Sequence, residues 1–237
     1  MAVLELPFNI ETFKRLDSTQ DEMVRRLKAG QNVHGLVIRA EAQTQGRGTR
    51  GRDWQSGFGG SYQTLAVRDA AGVLKHSASA IYVALGLAET LPEYGVQLGV
   101  KWPNDLHYRS KKVAGVLCEY RQSHLLAAVG INVNNDVPPG SARLRGLDTE
   151  GVSNMVLAGM QRGLELLVGG ANLPEAFARF DVLAGKLVSC EVDGQMVMGV
   201  ADGIDERGCL RLKAGTAERI CQSKARTSLR VFQSAPR

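Results

Sequence analysis

Residues 46–54 read Gly-Arg-Gly-Thr-Arg-Gly-Arg-Asp-Trp, setting Gly46, Gly48 and Gly51 among the guanidiniums of Arg47, Arg50 and Arg52 and ending on the indole of Trp54. Glycine lets successive backbone N–H groups converge on one point, and arginine meets phosphate oxygens with a planar fork of donors. The run therefore predicts a loop that wraps an anion. Taken alone it also fits a solvated basic loop or a nonspecific RNA-binding patch, because a repeated Gly-x-Gly is weakly specific.

Two further segments add chemistry. Lys101-Trp102-Pro103-Asn104-Asp105-Leu106 follows the apolar run of residues 96–100, and Lys111-Lys112-Val113-Ala114-Gly115-Val116-Leu117 opens another. Ser18-Thr19-Gln20 lies near the start, Ala40-Glu41-Ala42-Gln43-Thr44 precedes the loop, and Gly130-Ile131-Asn132-Val133 comes later. In this order, from about Phe13 to the C-terminus, the set resembles the biotin protein ligases, which attach biotin to carboxylase carrier domains.

The resemblance implies an α+β fold: a mixed β-sheet with flanking helices, of the class II aminoacyl-tRNA synthetase-like catalytic type, followed by a small C-terminal SH3-like β-barrel. It implies ATP, Mg²⁺ and biotin as reactants, biotinyl-AMP as intermediate, and a lysine of a biotin carboxyl carrier domain as acceptor. Lys112 would bridge the biotin carboxyl and the α-phosphate. Arg47 and Arg52 would clamp phosphates while Gly46, Gly48 and Gly51 let the loop close, and Trp54 would cover the adenine. Lys101 belongs to the block in which Asn104 and Asp105 organise nucleotide and metal, Asp105 being the candidate Mg²⁺ ligand. Asn132 would touch adenine or phosphate, with a turn role as its alternative. Ser18, Thr19, Gln20 and Gln43 would bind the ureido ring, whose donors and acceptor suit hydroxyls and amides. Gly115 would leave room for the bicyclic ring.

The chain departs from the family pattern in two places. Arginine usually stands fourth in the loop, where this chain has Thr49 followed by Arg50, so adenylate retention is expected to be weaker or to depend on Arg50. Ala128 replaces a usual glycine before Gly130, a change of one methyl.

At 237 residues and 44% hydrophobic content the chain can bury a sizeable core. A net charge of +5, with acids interleaved outside the loop, does not suit duplex DNA. The family resemblance begins within the first twenty residues, so no helix-turn-helix and no repressor role are expected. No apolar run approaches membrane-spanning length and Met1-Ala2-Val3-Leu4-Glu5 is not a leader, so a cytoplasmic enzyme is expected. Cys118, Cys190, Cys209 and Cys221 form no C-x-x-C pair and read as reduced thiols. His34, His76, His107 and His124 lack zinc spacing.

Hydrophobic periodicity and turn signals predict the elements that position these residues. A helix should start at Ser18 or Thr19 and close at Gly30. Strands are expected over 33–42 and 62–68, pinning the loop at both ends, and over 96–102, 113–120 and 124–133. Helices are expected over 77–89, 153–167 and 174–183. Beyond Gly185 short strands broken by Asp193-Gly194, Glu206-Arg207-Gly208 and Ala214-Gly215 suggest the barrel, dividing the chain into residues 1–184 and 185–237. Pairing of two copies through the main sheet is a further expectation from the family. A lipoate-type ligase, a degenerate biotin-binding sensor and an RNA binder are the alternatives.

Overall fold

The computed structural model describes residues 6–192, 195–215, 217–222 and 229–232. Strand β3 (Ser61–Arg68) organises it, being buried until Arg68. It pairs antiparallel with β7 (His124–Ile131) along the whole of both, and on its other side with β2 (Leu36–Ala40). β1 (Asn9–Phe13) joins β2 in parallel, while β6 (Lys111–Arg121), β5 (Asp105–Tyr108) and β4 (Gly99–Lys101) extend the antiparallel side. The seven-stranded order is β1-β2-β3-β7-β6-β5-β4, a mixed sheet as expected.

Two links are tight hairpins. Arg109 and Ser110 have φ of 49° and 64°, and Gln122 and Ser123 have 44° and 57°. Both central residues at positive φ are what a type I′ turn requires, since its twist matches that of the flanking strands. The strand expected over 96–102 is shorter, because the chain reverses at Trp102 and returns as β5.

Helix α1 (Thr19–Lys28) covers one face of the sheet, packing Met23 and Leu27 on Leu36, Ile38, Ala66 and Leu126. The Ser18 hydroxyl caps it by accepting from Asp21 N at 3.3 Å, a contact of the kind that contributes about 1 kcal/mol. Gly30, at φ 73°, turns the chain away after it. On the opposite face α2 (Ser79–Thr90) is sandwiched between the sheet and α3 (Thr149–Val168), so it is apolar nearly all round. A Cβ at Gly86 would collide with the backbone of Gly159 and Gly163, so the glycines set how closely these helices approach. α4 (Leu173–Ala178) has Pro174 in its first turn and ends earlier than the periodicity suggests.

The remaining strands, β8 (Leu187–Val192), β9 (Gln195–Ile204), β10 (Leu210–Ala214), β11 (Ala217–Cys221) and β12 (Leu229–Val231), form a second sheet in the order β11-β10-β9-β8-β12. Among the described residues its ladder runs open from β11 to β12; Asp193 and Gly194 lie outside them. Cys190 and Cys221 are joined as a disulfide with Cα atoms 6.5 Å apart, which corrects the expectation of four reduced thiols; Cys118 and Cys209 are free. In a flat sheet strands three places apart would be about 14 Å from each other. The sheet therefore curls, and a separation of 31 residues in sequence gives no hint of it. Among the described residues no helix is long and apolar enough to cross a membrane.

Candidate functional site

Alternate residues of the central strands turn away from α2 and line a cleft of about 430 Å³ beside the start of α1. Its floor is lowered by small residues: Gly115 on β6 stands opposite Gly130 on β7, and Ala128 lies opposite Leu117. Trp54 lies on this floor. A Cβ at Gly130 would come 2.5 Å from its Nε1, and one at Gly115 would come 3.3 Å from its Cζ3. Its buried N–H has no hydrogen-bond partner. The indole thus lies over the strand position where the bicyclic ring was expected.

Residues 46–54 fold back on themselves above the floor. Gly48 N donates to Arg52 O at 2.7 Å and Trp54 N to Gly46 O at 2.8 Å. Gly46 must be glycine, because a Cβ there would strike Ser56 Oγ and Trp54 O. Thr49–Gly51 makes a 3-10 turn that ends with Gly51 at φ 68°. Arg47 spans the cleft mouth, donating to Asp21 at 2.6 Å and to Glu119 at 2.8 Å. Burial alone would raise the Glu119 carboxyl, but the hydrogen bond from Arg121 and the charge of Arg47 hold it below its ordinary value. Arg47 is pulled down by burial and, more strongly, pushed up by Glu119 and Asp21, so it remains a cation. Arg52 lines the cleft with its guanidinium exposed; the Arg50 side chain lies outside the described residues.

At the α1 end Thr19 Oγ1 accepts from Thr64 Oγ1 at 2.9 Å, and Thr19 N donates to Gln43 Oε1 at 2.8 Å. Gln43 Nε2 donates to Ser56 Oγ at 2.7 Å. Gln20 is buried and its amide nitrogen and oxygen form no hydrogen bond of full geometry, although Glu119 is near enough to be influenced by it. Leaving such a group unpaired costs about 1–3 kcal/mol, so this amide is suited to a polar ligand.

At the other end Lys112 Nζ lies 2.6 Å from Asp105 Oδ1 and 5.2 Å from the centre of the Trp54 ring. Asn104 is tied by Nδ2 to Val116 O at 2.6 Å. Asn132 donates to Ala142 O at 3.2 Å and accepts from Asn135 Nδ2 at 3.1 Å, which gives it a loop-building role as well as a place on the wall. The cleft brings together Ser18, Thr19, Gln20, Gln43, Arg47, Gly48, Arg52, Trp54, Asn104, Lys112, Gly115 and Asn132. Gly46, Gly51, Lys101 and Asp105 stand off its wall, Asp105 reaching it through Lys112.

Glu119, Asp21, Ser56, Thr64 and Tyr62 were not foreseen as site residues. A period-two reading of β6 could have found Glu119, an acid on the same face as Gly115 within a largely apolar strand. Among the described residues no three His, Cys, Asp or Glu side chains gather as a metal cage. A Mg²⁺ arriving with a triphosphate would need at most one carboxylate from the protein, and the expected one, Asp105, is paired with Lys112.

A model of the biotin/lipoate A/B protein ligase family matches residues 12–136. A biotin–[acetyl-CoA-carboxylase] ligase of Paracoccus denitrificans is 30% identical over 232 residues, covering 87% of this chain and 95% of that protein. One of Mycobacterium tuberculosis (strain ATCC 25618 / H37Rv) is 29% identical over 230 residues, covering 87% and 84%. The biotin protein ligase of Aquifex aeolicus in complex with biotin and ATP superposes with a TM-score of 0.79 at 26% identity, covering 94% of this chain and 99% of that one.

Proposed function

The chain belongs to the biotin/lipoate A/B protein ligase family, and from that premise we propose that it is a biotin protein ligase, activating biotin with ATP as biotinyl-AMP and passing the acyl group to a lysine of a biotin carboxyl carrier domain. The observation that carries this reading is the layout of one cleft, with a buried amide that makes no hydrogen bond of full geometry at one end, Gln20, and an ammonium at the other, Lys112. A ligand with a polar head and an anionic tail fits that layout. The relatives named as biotin–[acetyl-CoA-carboxylase] ligases support the acid and the acceptor class.

The chemistry follows from what a carboxylate lacks. It is a poor electrophile, so its oxygen first attacks the α-phosphorus of ATP and pyrophosphate leaves; an amine then attacks the acyl carbon and AMP departs. Negative charge gathers on phosphate oxygens in both steps, and fixed cations in a partly enclosed cleft stabilise it without reorganising. In this proposal Lys112 draws the acid's carboxylate and the α-phosphate together, while Arg47 and Arg52 face the phosphates. Thr19, Gln20 and Gln43 orient the ureido head, and Asn104 and Asn132 line the nucleotide end. Mg²⁺, travelling with the nucleotide, would neutralise the pyrophosphate. The modest, interleaved charge supports an acceptor that is protein rather than DNA, and pairing of two copies through the main sheet belongs to the same proposal.

The test is transfer of labelled biotin to a purified carrier domain with ATP and Mg²⁺, beside lipoate as the competing acid. Transfer of biotin and not lipoate is expected. Binding of biotin without pyrophosphate release would instead establish a sensor, and preferential transfer of lipoate would move the chain to the other branch of its family.

A further inference from the structure

Trp102 stands in the middle of the Lys101 to Asp105 block, yet its side chain points away from the cleft and is 1% exposed. Its indole N–H donates across 2.8 Å to the carbonyl of Gly208, which belongs to the turn between β9 and β10 of the second sheet. That turn is closed from within: Asp205 Oδ1 accepts from Arg207 N at 3.0 Å and Cys209 N at 2.8 Å, and Gly208 N donates to Asp205 O at 2.9 Å. It is also wedged from without. Ser77 Oγ donates to Arg207 O at 2.7 Å, and a Cβ on Gly208, already at φ 78°, would lie 2.6 Å from Ala78 Cβ and 2.9 Å from Ile81 Cδ1.

On the near side of Trp102 the chain turns sharply into β5. Asn104 and Asp105 follow within three residues, one bonded to Val116 O, the other paired with Lys112. The open side of β4 is held by residues 180–182, with Val100 N donating to Phe180 O at 2.7 Å. A continuous path of hydrogen bonds and short covalent steps thus leads from a turn in the second sheet to the ammonium in the cleft.

We propose that Trp102 is a positioning residue, and that the second sheet acts on the reaction through it, the turn of residues 205–209 serving as a strut that fixes where Asn104, Asp105 and hence Lys112 stand. The role rests on the ligase reading for its effect on rate, but the strut exists without any ligand. Losing it lets the block shift by a fraction of an ångström, a displacement that hinders the attack on phosphorus more than it weakens binding of the acid at the far end of the cleft.

Asp205→Ala opens the turn from its surface side, Asp205→Asn keeps the accepting oxygen, and Trp102→Phe keeps the ring bulk while removing the N–H. Asp205→Ala and Trp102→Phe are expected to lower kcat for pyrophosphate release by about 10-fold to 10²-fold, the scale of a small misplacement of reacting groups, with the biotin KM within about twofold. Asp205→Asn restores kcat. Hydrogen exchange at the Trp102 indole, one of 2 in the chain, reads the strut with no substrate: it is slow in the parent and markedly faster in Asp205→Ala. Should Trp102→Phe not fold, the Asp205 pair decides the matter. Parent-like kcat in Asp205→Ala, equal changes in kcat and KM, or no recovery in Asp205→Asn overturns the proposal. Slow indole exchange in a parent that makes no biotinyl-AMP, faster in Asp205→Ala, would mark failure of the ligase reading with the strut intact.

Discussion

Lys112 and Asp105 form an ion pair of 2.6 Å at the edge of the cleft, so the ammonium proposed to act on the substrates is already oriented by a carboxylate from the neighbouring strand. A cation fixed in this way loses little freedom when an anion arrives. Lys112→Ala should lower the rate of pyrophosphate release by roughly 10²- to 10³-fold, the scale for removing one positioned donor of charge. Adenylation near the parent rate would remove Lys112 from the mechanism.

The Glu119 carboxyl is held below its ordinary value of 4.5. A group whose folded pKa is depressed favours folding above the unfolded value and loses that contribution as pH falls through the folded one. Melting temperature should therefore fall with acidification, and less steeply in Glu119→Gln than in the parent. Parallel acid limbs for the two proteins would show that the Arg47 and Arg121 contacts contribute nothing to this dependence.

Gly115 and Gly130 face each other beneath the Trp54 ring. Gly115→Val would place methyl groups where the proposed bicyclic ring lies, and a misfit of that size is worth about 1–3 kcal/mol. The biotin KM is expected to rise on the order of tenfold, measured with ATP saturating. Unchanged affinity for the acid would place its ring elsewhere.

Thr49 lines the cleft where the family pattern carries arginine. Thr49→Arg adds a charged donor, and hydrogen bonds of that type are worth about 1.5–3 kcal/mol. Dissociation of biotinyl-AMP, followed by release of labelled adenylate into solution, should slow by about tenfold or more. An unaltered rate would mean that the loop retains its adenylate by other means.

The glycine-arginine loop, the Lys101 to Asp105 block and the α1 start were legible because each is a local pattern whose backbone demands are written in consecutive residues. Ser18 is where the helix begins, and Gly30 is where the chain leaves it. What escaped was set by distant partners. β5 was not resolved because its hairpin uses Arg109-Ser110, which lacks the glycine or asparagine that normally signals positive φ. Asp21 reads as a helix-start acid until Arg47, 26 residues on, is brought against it. The Cys190 to Cys221 link depends on curvature of a sheet, and the resting place of Trp54 on how far a loop folds back.

Gln43 receives Thr19 N on its oxygen and donates its nitrogen to Ser56. A backbone N–H cannot accept, so the amide is unable to flip, and its leftover lone pair and leftover hydrogen keep fixed directions. This corner of the protein consequently has a handed polarity: a guest offering the same atoms in mirrored order would meet donor against donor, and selectivity would arise from rigidity rather than from size.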